Sequence, residues 1–224
     1  MTDDISLPRA RLKTPKAAAI AGILFSTVMV AIFWLLRPGI PADPLAPGAW
    51  LAADPRAVTV ALNLVPLAGV AFLWFTGVLR DRLGQQEDRF LATVFLGSAL
   101  SYVAMLFTAA ALAGAAILVT AASADVAELT ASASFRFMRA ATYIVMNVYA
   151  TKMAAVFMIS TSTFVIYTKM APRWIAIIGY IQAIGLLVGS GYISWSFAVL
   201  PFWVFLMGVY ILIDDLRRKG RVEG

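Results

Sequence analysis

The chain has 224 residues, 62% hydrophobic and only 13% charged, whereas soluble domains carry about 25% charged residues. It has no cysteine and no histidine. This excludes disulfides, thiol chemistry, zinc or haem held by those side chains, and a serine–histidine–carboxylate triad. The net charge of +6 sits mainly in short tails and loops between apolar runs, which points to membrane orientation and anionic lipid and away from nucleic acid.

Residues 1–13 are polar, and Arg9, Arg11, Lys13 and Lys16 precede the first apolar run. Thr14-Pro15 reads as a helix start, a hydroxyl cap followed by proline at the first helical position. The run continues to Arg37-Pro38 without a small-residue cleavage pattern, so a retained signal-anchor helix is expected over 17–36. Pro38, Pro41, Pro44 and Pro47 then recur every third residue, fitting an extended loop with its rings along one edge. Trp50 suits an interfacial position.

Asp54-Pro55 repeats the cap-and-proline signal before a second span, 57–79. Pro66 is expected to kink it by freeing the carbonyl of Leu62, and Asn63 is expected to serve as interhelical glue or line a cavity. After the arginine-rich loop 80–89, in which Gly84 suits a helix C-cap, a third span covers 90–119. About 30 helical residues would extend about 45 Å, against a hydrocarbon core of about 30 Å, so it must tilt, kink or project. Gly97, Ser101, Ala104, Thr108, Ala111 and Ala115 alternate at spacings of four and three. They form a small-residue stripe that admits a closely packed helix, expected inside the protein or at a subunit contact.

Residues 120–142 are alanine- and serine-rich and suggest a short interfacial helix or an outward continuation of the fourth span. Arg136 and Arg139 there are candidate anion or headgroup ligands, with snorkelling as the plainer role. The fourth span is expected over 143–168 and contains Lys152. Either this lysine lies inside the bilayer, or the helix projects and places it near the interface. In the functional version Asn147, Thr151, Tyr149 and Lys152 line a polar entrance; the hydroxyls of Ser160 and Thr163 are expected to bond to carbonyls one turn back. Spans five (174–188) and six (192–213) follow. Gln182 is an amide needing a partner, and Pro201 is expected to kink span six.

The expected fold is therefore all-α: a polytopic integral membrane protein, a six-helix transmembrane bundle with both termini cytoplasmic. A tail over 1–16, a membrane domain over 17–213 and a tail over 214–224 complete it. Thirteen basic residues fall on one side of this topology and four on the other, with Lys152 left over from the eighteen present; the basic side is cytoplasmic by the positive-inside rule. A bacterial plasma membrane is the expected location. No motif demands a cofactor or metal. The primary expectation is a non-enzymatic membrane subunit, in a homo-oligomer or larger complex and in contact with membrane lipids. The alternative is a small transporter or channel for an anionic or lipidic solute, and a lipid-modifying enzyme comes last.

Overall fold

The computed structural model describes residues 15–36, 54–83, 89–169, 171–189 and 196–220. The proline-rich loop, Gly84 and the extreme tails lie outside these residues. Every regular element described is helical: α1 (Pro15–Leu36), α2 (Pro55–Leu83), α3 (Arg89–Ala122), α4 (Val126–Ala131) and α5 (Ala133–Ile144). A π-helical turn (Val145–Ala150) joins α5 to α6 (Thr151–Thr168). Then come α7 (Arg173–Gly189), a 3₁₀ turn (Ser196–Ala198) and α8 (Val199–Gly220).

Local chemistry sets the helix ends. Asp54 caps α2: its Oδ1 accepts the N–H of Arg56 at 2.9 Å and its carbonyl accepts that of Val58 at 3.1 Å, which satisfies donors that the helix start leaves open. Ser132 caps α5, accepting the N–H of Phe135 at 3.2 Å. Lys169 closes α6 in the left-handed conformation, with φ of 51°, and the chain turns directly into α7.

Five helices are long and apolar enough to cross a membrane: Lys16–Leu36, Arg56–Arg80, Arg89–Ala122, Ala133–Thr168 and Ser196–Arg217. The 17 residues of α7 extend about 26 Å. The chain is thus an all-α, polytopic membrane-helical bundle. α1 packs between α2 and α8; α2 meets α3; α3 meets α5, the π-turn and α6; α6 pairs with α7, and α8 only touches α6 and α7. Phe25, Phe72, Tyr102, Phe95, Phe157 and Phe164 stack through the centre, with neighbouring centroids 4.8–6.5 Å apart. A smaller cluster of Val58, Ala113, Ala116, Ile117 and Phe135 joins α2, α3 and α5 at the end that carries α4. The opposite end carries Arg80, Arg89, Lys169, Arg173 and Arg217 and is called the basic end below.

Three expectations change in detail. The fourth span is part of one helical run from Ala133 to Thr168, an outward continuation ten residues longer than 143–168. α8 begins at Val199, so Pro201 lies in its first turn, where no intrahelical N–H is required and no mid-helix kink arises. Pro66, expected to kink span two, lies within one continuous α2 with its ring on the outside of the bundle.

Candidate functional site

Helix α5, the π-turn and α6 hold most of the buried polar side chains: Arg139, Thr142, Asn147, Thr151, Ser160, Thr161 and Ser162. The π-turn sets their phase. On α5 the inward residues are Phe135, Arg139 and Thr142; the next is Asn147, five positions on, followed by Ala150, Thr151 and Ala154. An unbroken α-helix would repeat after three or four. The wide turn absorbs one extra residue, turning Arg139 inward over the Phe135 ring at 5.9 Å and leaving Arg136 exposed. Thr151 Oγ1 donates to the carbonyl of Met146 at 3.0 Å, five residues back, and thereby serves an acceptor that the wide turn displaces. Asn147 Nδ2 donates to the carbonyl of Tyr143 at 3.2 Å. Its Oδ1 is buried with no partner.

The depth of Lys152 follows from the aromatic ladder. The apolar stretch of α1 runs from Lys16 to Leu36, and Phe25 lies near its middle. Phe25 meets Phe72 at 4.8 Å, and Phe72 meets Phe157 at 4.9 Å. Lys152 is about one and a half turns from Phe157, about 7 Å nearer the α4 end. It is half-buried, and among the described residues its ammonium makes no hydrogen bond or ion pair.

α7 packs antiparallel on α6. A Cβ at Gly179 would collide with Ser162 Oγ and lie 2.9 Å from the Trp203 ring; Tyr180 Oη lies 2.7 Å from Thr163 Oγ1. Continuing this register ten residues along each helix brings Gly189, the last residue of α7, abreast of Lys152. The final carbonyls of α7, which lack partners within the helix, thus end at that depth. The start of α8 is sunk as well. Phe197 meets Phe33 at 4.4 Å, and Ser26 Oγ lies 2.8 Å from the carbonyl of Pro201, so Ser196–Val199 stands below the end of α1. The π-turn touches Ser196–Ala198, bringing Asn147, Thr151, Lys152 and buried Ser196 to one end of the bundle.

The other sequence candidates lie elsewhere. Tyr149 is 55% exposed on the outside of the π-turn. Asn63 is exposed and donates to the carbonyl of Thr59 at 2.9 Å. Gln182 is half-buried on α7, its Oε1 enclosed and without a partner. The stripe on α3 lies outward: Gly97, Ala104, Thr108, Ala111 and Ala115 are exposed and Ser101 half-buried. α3 packs inward through a different row that includes Phe95, Ala99, Tyr102, Leu106, Ala109, Ala113 and Ala116. Ser160, Thr161 and Thr163 donate to carbonyls four residues back, at 3.0, 2.7 and 2.9 Å. Among the described residues no three acidic side chains gather as a metal-holding group. Ser196 and the Ser162–Gly179–Trp203 junction carry no motif in the sequence; only contacts between distant segments reveal them.

No family model, curated protein or solved structure matches the chain. Architecture and composition define its class, a polytopic α-helical integral membrane protein.

Proposed function

We propose that this chain is a non-enzymatic membrane subunit that works in an oligomer or a larger complex. The outward stripe of α3 carries this reading. Helix association in lipid depends on close backbone approach, because apolar side chains gain little by leaving lipid for protein. α3 offers such a surface along Gly97–Ala115 without using it inside the chain. The hydroxyls of α6 that serve their own backbone also fit a scaffold. The short α7 is read as the sixth span, with the basic end and both termini cytoplasmic; reporter fusions at each terminus test this.

The deciding experiment uses Ala104→Leu and Ala111→Leu on the outer face of α3. Each is expected to weaken assembly, measured as the mass of the complex extracted from its native membrane, while the far-ultraviolet spectrum and unfolding midpoint stay unchanged. An unaltered complex mass in both variants defeats the reading. A second reading, transport of an anionic or lipidic solute, draws support from the depth of Lys152, since ionisable groups within membranes commonly mark solute pathways.

A further inference from the structure

We propose that Asn147, Thr151 and Lys152, closed off by Ser196, form a membrane-embedded binding site for a phosphate group that also presents a hydrogen-bond donor. The site stands whether or not the chain transports its ligand, and it is independent of the α3 stripe.

Three observations converge on it. Lys152 lies about 7 Å along the helix from Phe157, and its ammonium makes no bond to any described residue. A charge in hydrocarbon is costly unless paired or solvated. Asn147 supplies the second observation. Only 8% of this residue is exposed, yet its Oδ1 has no partner. Its amide orientation is set by the Nδ2 bond to Tyr143, so the free atom is an acceptor and calls for a donor. The third is the π-turn over Val145–Ala150, whose wide pitch brings residues five apart nearer to one face than an α-helix would. Asn147 and Lys152 stand in that same relation.

The ligand must satisfy both groups, accepting from the ammonium and donating to Asn147. A halide or a simple carboxylate has no donor. A hydrogenphosphate presents acceptor oxygens and a P–OH donor; a phosphodiester such as phosphatidylglycerol presents acceptor oxygens and the alcohol hydroxyls of its glycerol headgroup as donors. The sunken starts and ends of α8 and α7 put this pair within the outer part of the bilayer, where either source can arrive. Irregular or terminated helices at membrane depth occur where they are enclosed by protein or line a polar cavity.

The test uses the full chain in two arms. In one, it is reconstituted with phosphatidylcholine containing phosphatidylglycerol, re-extracted, and its bound lipid counted by native mass spectrometry. In the other, it is held in phosphatidylcholine alone and inorganic phosphate binding is measured by equilibrium dialysis. Binding is expected in at least one arm, and the arm identifies the source. Lys152→Met should weaken it about tenfold or more, Asn147→Leu about fivefold, and Lys152→Arg little. Absence of binding in both arms overturns the proposal, as does wild-type binding by Lys152→Met. Should Lys152→Met fail to fold, Asn147→Leu decides, and undiminished binding by that variant overturns the proposal.

Discussion

The bundle has two unlike halves. In α1, α2 and α8, polar groups inside the spans are few and served, and the buried atom without a partner, Asp215 Oδ2, lies near the basic end of α8. Ser26 Oγ lies 2.8 Å from the carbonyls of both Gly22 and Pro201, so its single proton links α1 to α8. Thr76 donates to Phe72 at 2.8 Å. Gly22 approaches Phe75 and Val204, and Gly208 approaches the carbonyl of Ala19, so these helices meet nearly backbone to backbone. In α3, α5–α6 and α7, by contrast, Tyr102 Oη, Asn147 Oδ1, Ser162 Oγ and Gln182 Oε1 are all buried without partners. Unserved polar atoms in lipid cost free energy. One half is built for cohesion, then, while the other keeps hydrogen-bonding capacity in reserve.

The Trp203 junction is where the halves join, and breaking it should have the largest effect. Trp203 on α8 is fully buried and its Nε1 donates to the carbonyl of Ile175 on α7 at 3.3 Å. Trp203→Ala should destabilise the fold by about 4 kcal/mol, since it leaves a cavity and a severed contact; detergent-titrated unfolding measures it. Gly179→Ala at the same junction should cost about 2 kcal/mol through overpacking against Ser162 and Trp203. The matching change Gly97→Ala meets open space and should stay within about 0.5 kcal/mol. The smallest pair tests the polar contrast itself. Ser26→Ala should cost about 1 kcal/mol by removing a served hydroxyl, whereas Tyr102→Phe should be neutral or stabilise by up to about 1 kcal/mol. Equal losses in both would mean that the Tyr102 hydroxyl is served after all, and would erase the contrast between the halves.

Much of this architecture is legible in one dimension. Hydropathy gives the spans, Asp54-Pro55 gives the start of α2, and the excessive length of the third span is physical, since α3 has 34 residues. The candidates for polar lining were harder. Sequence spacing can put Asn147 and Thr151 on one face, but it cannot say that an extra residue is absorbed between Thr142 and Asn147. That depends on which carbonyl Thr151 meets in the folded chain. The direction of the α3 stripe was hidden for a related reason. In lipid both faces of a helix are apolar, so periodicity loses its power to separate inside from outside, and alanine occurs on both sides of α3. The position of Lys152 relative to Phe25, Phe72 and Phe157 likewise depends on contacts between distant segments.

The π-turn also bears on descent. A helix with one residue more than its neighbours require has two separately phased segments. A chain with the same fold but an uninterrupted α-helix here would be one residue shorter between 145 and 150, and, aligned on α6 without a gap, its buried arginine would fall opposite Ala140 and not Arg139. Comparing this helix with such a chain therefore requires a one-residue gap between 145 and 150.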